Sequence, residues 1–183
     1  MHLLKNITLT PVTAYYSGGS GTYCSVVPDF KTATYIKACC DTARAMGFDD
    51  ATNSLDQHVT VLHSNVGLTL EQQQELWDAN VMKPEASFTA TPVNFIHWGG
   101  HNDTGYLVLE LESEELDLMN YWLRQTFDLP VSFEDYRPHV TIATHVYMSP
   151  GGKQAVERLI QILNKMPKPT HLTFTGIRIE DLK

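Results

Sequence analysis

A block of sequence that occurs twice constrains the fold of this chain more than any other feature. The motif H-V-T-V begins at His58 and is followed by a stretch with helical apolar spacing, then by an extended segment after the Lys-Pro pair at Lys83. The motif H-V-T-I begins at His139, and a helical stretch and an extended segment after the Lys-Pro pair at Lys168 follow in the same order. Two strand–helix–strand units predict a duplicated domain whose equivalent strands meet at a pseudo-two-fold axis.

Apolar periodicity and turn residues divide the whole chain into strands and helices. The length of 183 residues suits a single domain, which we place at 22–183. Residues 1–21 form a leader that ends in a flexible Ser-Gly run. The predicted helices are 31–46, 70–81, 114–127 and 153–166, and the predicted strands are 22–27, 58–62, 88–98, 106–111, 139–144 and 171–180.

Charge and cysteine content restrict the class of protein. A formal net charge of −8 argues against non-specific binding of DNA or long RNA, which requires a basic face. A small phosphate-bearing ligand is compatible with this net charge, because a few directed donors can hold it in a pocket. No apolar run could span a bilayer and no signal-peptide pattern is present, so we expect a cytoplasmic protein without a membrane partner. Cys24, Cys39 and Cys40 are expected to be buried, reduced thiols.

The two H-x-T motifs predict a catalytic centre. Side chains two apart on a strand share one face, so His58 lies beside Thr60 and His139 beside Thr141, while the intervening β-branched residues enter the core. Two facing motifs supply a base, an acid and two hydroxyl donors around one phosphorus atom. One H-x-T motif is common in strands, but two at matching points of a repeat favour function over packing.

No metal is needed for such chemistry, and none is predicted. His97 and His101 lie near each other, but no third ligand stands at a convincing spacing. The sequence implies no other cofactor. Arg137 lies two residues before His139 and is a candidate for binding phosphate through its guanidinium fork, although Pro138 leaves the local geometry open.

The paired motifs at His58 and His139 resemble the signatures of the 2H phosphoesterase superfamily. The resemblance covers roughly 21–183 and implies an α+β, bilobal fold, in which two pseudo-symmetric, antiparallel-rich sheet lobes carry flanking helices around a central cleft. It also implies that His58 and His139 act as general acid and base, with Thr60 and Thr141 as phosphate ligands. Members include RNA 2′,3′-cyclic phosphodiesterases, the so-called 2′-5′ RNA ligases and phage enzymes that destroy cyclic nucleotide signals.

Within the superfamily, the chain is most similar to the phage anti-CBASS cyclic-oligonucleotide hydrolases (the Acb1 group). The similarity lies in W-G-G-H-N-D-T-G-Y-L-V-L, which begins at Trp98, and in the run from Tyr121 to His139. That group stacks substrate bases on aromatic side chains, and Tyr23 and Trp98 are the matching positions. Tyr15 or Tyr16 could replace Tyr23, and a packing role is an alternative for both aromatics.

The resemblance implies metal-independent hydrolysis of 3′–5′ bonds in cyclic oligonucleotide second messengers, which would counter CBASS signalling in the host cytoplasm. One alternative is processing of RNA ends, by opening 2′,3′-cyclic phosphates or joining 2′-5′ links, with the same catalytic residues. Another is a non-catalytic sponge that captures cyclic nucleotides. Two intact pairs of a titratable group and a hydroxyl argue against the sponge, because binding alone does not require them.

Overall fold

The computed structural model describes residues 21–79, 86–99, 104–130 and 135–182. Within these ranges, strands and helices alternate, and a 3₁₀ turn (Val146–Met148) follows the fifth strand. The strands are β1 (Gly21–Pro28), β2 (Val59–Ser64), β3 (Ser87–Trp98), β4 (Tyr106–Glu112), β5 (His139–Thr144) and β6 (Leu172–Leu182), and the helices are α1 (Phe30–Ala45), α2 (Leu70–Asp78), α3 (Glu114–Phe127) and α4 (Gly152–Lys165).

Every helix and strand expected from the sequence occurs, and differences are confined to the ends. β2 begins at Val59, so His58 immediately precedes the strand, and α2 ends at Asp78 instead of at 81. Gly21, assigned to the leader, is the first residue of β1, and the rest of the leader lies outside the described residues. The 3₁₀ turn was not predicted, because three residues are too few to show an apolar period.

The six strands form one antiparallel sheet that closes in the order β1-β2-β5-β4-β3-β6. It consists of two lobes, β2-β1-β6 and β5-β4-β3. The strands β1, β2 and β3 correspond to β4, β5 and β6, and exchanging the two sets converts one lobe into the other. The lobes meet where β2 pairs with β5 and where β3 pairs with β6. The predicted α+β fold with two pseudo-symmetric antiparallel lobes is therefore confirmed, and each repeat contributes its last strand to the other lobe.

Matching irregularities support the pseudo-symmetry. In β1 the pairing with β2 shifts between Cys24 and Ser25, and Ser25 then lies opposite Thr60. In β4 the pairing with β5 shifts between Leu107 and Val108, and Val108 then lies opposite Thr141. A bulge locally increases the twist of a strand and redirects its side chains. The extra residues are Val61 in β2 and Ile142 in β5, so the two bulges lie at equivalent positions, immediately after Thr60 and Thr141.

The core lies under the faces of β2 and β5 that point away from the motif residues. Val59, Val61, Val140 and Ile142 are completely buried, as the alternation in both motifs predicts. α1 begins where Asp29 accepts a hydrogen bond from the backbone N–H of Thr32, and it buries one apolar stripe against the sheet. That stripe contains Cys39 and Cys40, which with Cys24 are free and buried as expected. Among the described helices, none combines the length and the apolar character required to cross a bilayer.

Candidate active site

The pairing of β2 with β5 brings the two H-x-T motifs together. Val59 lies opposite Val140 in antiparallel register. Continuing that register by one residue in each direction places His58 across from Thr141 and Thr60 across from His139. The four side chains share one face, and the two histidines stand at diagonal positions, where backbone separations are about 7–8 Å. In agreement with this placement, the charge of His58 acts on His139.

Both imidazoles are oriented by the same backbone contact. Nδ1 of His58 lies 2.7 Å from the carbonyl oxygen of Asp56, and Nδ1 of His139 lies 2.8 Å from that of Arg137. A carbonyl oxygen only accepts hydrogen bonds, so each Nδ1 carries a proton. In the neutral rings Nε2 is therefore the nitrogen with a lone pair, and it is the one available for proton transfer.

Tyr23 contacts the cluster of predicted catalytic residues. Its hydroxyl is 2.5 Å from Nε2 of His58 and 2.8 Å from Oγ1 of Thr60. The rings of Tyr23 and His58 meet edge to face, with centroids 5.8 Å apart. Burial raises the pKa of Tyr23, and its bond to Thr60 offsets part of that effect, so the phenol keeps its proton at neutral pH. Sequence placed Tyr23 at the substrate, and the structure shows its hydroxyl already bonded to two predicted catalytic residues.

Trp98 packs against the other histidine. Its ring centroid lies 4.4 Å from that of His139, at an interplanar angle of 62°. The indole Nε1 is buried and finds no hydrogen-bond partner within the described part of the chain. Burial lowers the pKa of His139, the carbonyl of Arg137 partly opposes this, and the nearby His58 lowers it further. His139 is therefore held toward its neutral form.

Two clefts meet at this cluster. The larger has a volume of about 700 Å³, and the smaller has about 470 Å³. Thr141 and Tyr106 line both clefts, so the two spaces meet at the second H-x-T motif. Besides Thr141, the predicted site residues that line the larger cleft are Tyr23, Thr60, Trp98, Arg137 and His139. His58 lines the smaller cleft with Asp49, Asp50, Asn53 and Asp56.

The structure thus brings every predicted site residue to one of two adjoining clefts. Tyr15, Tyr16 and His101 lie outside the described residues. His97 bonds through Nδ1 to the hydroxyl of Tyr147 and is not among the residues that line the two clefts. Across the described ranges, no group of three or more His, Cys, Asp or Glu side chains is arranged to hold a metal ion.

Sequence reasoning missed two residues that the repeat itself identifies. Tyr106 stands two residues before Val108, which lies opposite Thr141, just as Tyr23 stands two before Ser25, which lies opposite Thr60. Asp56 precedes His58 by two residues, as Arg137 precedes His139. Aligning the two halves beyond the H-x-T motifs, and allowing for equivalent bulges, would have identified both positions.

The fold is similar to that of solved structures that include a phosphoesterase. Usb1 of Kluyveromyces marxianus has 9% identity and a TM-score of 0.52, over 90% of this chain and 95% of that one. A phosphoesterase crystal structure has 13% identity and a TM-score of 0.51, over 87% and 86%. TT0787 of Thermus thermophilus has 14% identity and a TM-score of 0.51, over 87% and 83%. At such identities the likeness establishes the fold.

The sequence gives a more specific assignment. The family model of the anti-CBASS protein Acb1 matches residues 20–163, and the chain belongs to this family. No curated protein sequence matches the chain. Membership of this family, together with the shared fold, supports a phosphodiesterase role.

Proposed function

We propose that the chain hydrolyses 3′–5′ bonds of cyclic oligonucleotide second messengers without a metal ion, and that it thereby counters CBASS signalling. The observation that carries the proposal is the diagonal arrangement of His58 and His139, each held by a carbonyl at Nδ1. Such a pair can act on opposite sides of one phosphorus atom. The anti-CBASS family assignment directs the choice of substrate toward cyclic nucleotide signals.

The proposed reaction begins with the ribose 2′-hydroxyl next to the scissile bond. One histidine takes the proton of this hydroxyl while its oxygen bonds to phosphorus, and the other histidine protonates the departing 5′ oxygen. The product is a 2′,3′-cyclic phosphate, which water then opens to a 3′-phosphate. Thr60 and Thr141 donate hydrogen bonds to the non-bridging oxygens, where negative charge increases in the transition state.

The clefts supply the remaining features that such a substrate needs. A volume of about 700 Å³ lies within the usual range for small-ligand sites of about 300–1,000 Å³. Trp98 and Tyr23 present aromatic rings for base stacking, which contributes about 1–3 kcal/mol per base in other proteins. The exposed Arg137 lines the same cleft and supplies a local positive charge, although the chain as a whole carries a net charge of −8.

The test is incubation of chelator-treated protein with a panel of cyclic di- and trinucleotides, resolved by mass spectrometry. We expect linear products from the wild type and losses of about 100- to 10,000-fold in turnover for His58→Ala and for His139→Ala. His171→Ala is the matched control, because this histidine is exposed and precedes β6, and it should retain full turnover. Full activity in both catalytic variants would refute the assignment.

The same incubation separates the rival functions. RNA with 2′,3′-cyclic ends belongs in the panel, and faster opening of those ends than of any cyclic nucleotide would favour RNA-end processing. Release of intact cyclic nucleotide after heat denaturation, with no linear product, would identify a sponge. Activity that disappears with chelator and returns with a divalent metal would contradict metal independence.

A further inference from the structure

The two halves of the site differ in charge at equivalent positions. Asp56 and Arg137 each precede a histidine by two residues, and each accepts a hydrogen bond from that histidine through its backbone carbonyl. Their side chains carry opposite charges. The pseudo-symmetry of the fold therefore does not extend to the electrostatics around the two imidazoles.

His58 borders a cleft that carboxylates line, and both of its ring nitrogens have partners. Asp49, Asp50 and Asp56 line the smaller cleft that His58 borders. These carboxylates give the smaller cleft a negative charge. Nε2 of His58 also has an acceptor in place, because the hydroxyl of Tyr23 lies 2.5 Å away and can itself donate to Thr60. A protonated His58 would thus have both of its N–H groups bonded.

The surroundings of His139 favour a neutral ring. The indole of Trp98 packs 4.4 Å from it, centroid to centroid, and reduces its contact with water. Arg137 lines the same cleft. Among the described residues, Nε2 of His139 has no hydrogen-bond partner, so its lone pair is available to a substrate hydroxyl. Burial also lowers the pKa of this histidine.

We propose that the two histidines have fixed roles in the first step, with His139 as the base and His58 as the acid, and that the hydroxyl of Tyr23 is a positioning group for His58. The assignment rests on the proposed function. Nε2 of His139 removes the 2′-hydroxyl proton as the bond from the 2′ oxygen to phosphorus forms. The bond from phosphorus to the 5′ oxygen breaks, and the proton of His58 Nε2 passes to that oxygen.

Tyr23 acts through His58 in this scheme. Its hydroxyl and the carbonyl of Asp56 hold the imidazole at both nitrogens, which fixes the direction of the Nε2–H bond. The 5′ oxygen of the substrate then replaces the tyrosine hydroxyl as acceptor. When water opens the cyclic phosphate, the neutral His58 takes a proton from water and the protonated His139 returns one to the 2′ oxygen. Both histidines finish in their starting states.

The experiment compares two substrates that differ in one atom. One is the cyclic dinucleotide that the wild type cleaves fastest, and the other has sulfur in place of the 5′ bridging oxygen at the scissile bond. A thiolate leaves without protonation, so loss of the acid is harmless with the sulfur substrate, and loss of the base is not. We expect the defect of His58→Ala to shrink at least tenfold on the sulfur substrate, while the defect of His139→Ala stays the same.

Tyr23→Phe tests the positioning role, because it keeps the ring for base stacking and removes only the hydroxyl. We expect a loss of turnover on the oxygen substrate that largely disappears on the sulfur substrate. Tyr106→Phe, at the equivalent position of the other half, should show no dependence on the leaving atom. An equal loss for Tyr23→Phe on both substrates would overturn its role.

If the sulfur substrate reduced the turnover defect of His139→Ala instead of that of His58→Ala, the assignment would be reversed. If it reduced neither defect, fixed roles would be excluded. A wild type that cleaves neither substrate would instead refute the proposed function.

Discussion

At the scale of single residues, burial gives His139 a measurable signature. Its pKa lies below the ordinary value of 6.5 because the folded chain keeps the ring partly away from water. Below about pH 6.5 the unfolded chain therefore binds a proton that the folded chain resists, so this residue lowers stability as pH falls. The free energy of unfolding is therefore unaffected by this residue above its ordinary pKa, and it declines as the pH drops below that value.

We predict that replacing His139 by Gln, which does not titrate, reduces the loss of unfolding free energy between pH 7 and pH 5. Urea denaturation at the two pH values measures the difference. His171→Gln is the control, because this histidine is exposed. An identical pH dependence in wild type and His139→Gln would contradict the burial argument.

The sequence proposed which residues are catalytic, but it could not give their local bonding. The H-x-T spacing places an imidazole beside a hydroxyl in any strand. The two-residue period of a strand was therefore enough to pair His58 with Thr60 and His139 with Thr141. Tyr23 was expected at the substrate for its ring. Its hydroxyl bonds to His58 and Thr60 only because the pairing of β1 with β2, which contains a bulge at Val61, brings them together.

At the scale of elements, one glycine couples β4 to the turn after β5. Gly105 has φ of +72°, and a Cβ there would lie 2.6 Å from the ring of Tyr147. Its carbonyl accepts from the backbone N–H of Val146, and that of Thr104 accepts from Tyr147. The close approach of ring and backbone fixes the start of β4, where Tyr106 lines both clefts.

We predict that Gly105→Ala destabilises the protein more than Gly47→Ala does. Both glycines have positive φ, which costs alanine about 1–2 kcal/mol, but the Cβ at Gly47 would meet nothing within 4 Å. The overlap with Tyr147 adds to the cost only at Gly105. Urea denaturation of the two variants gives the comparison, and equal losses would show that Tyr147 moves aside at no cost.

At the scale of the whole molecule, the packing of α1 against the closed sheet shields the thiols. Cys24, Cys39 and Cys40 have no exposed surface. Burial raises the pKa of Cys24 and of Cys40 to about 12 and that of Cys39 to about 11. A thiol that is both buried and protonated reacts slowly with disulfide reagents, because the thiolate is the nucleophile.

We predict that a disulfide reagent at pH 8 modifies none of these cysteines in the folded protein and all of them in denaturant. Ser54→Cys provides the positive control, because Ser54 is exposed and its replacement should react at once. Rapid labelling of a native cysteine without denaturant would show that the sheet opens locally near that residue.

The sequence by itself determined the succession of helices and strands, the duplication and the four residues of the H-x-T motifs, because these depend on local period and composition. Only the tertiary structure decided that each repeat contributes its last strand to the opposite lobe, and that Val59 pairs with Val140. Strand pairing depends on contacts between residues far apart in the chain, and a shift of one residue would turn the histidines to the other face. The opposite charges beside His58 and His139 were visible in the sequence, but they became comparable only after the fold had made Asp56 and Arg137 equivalent.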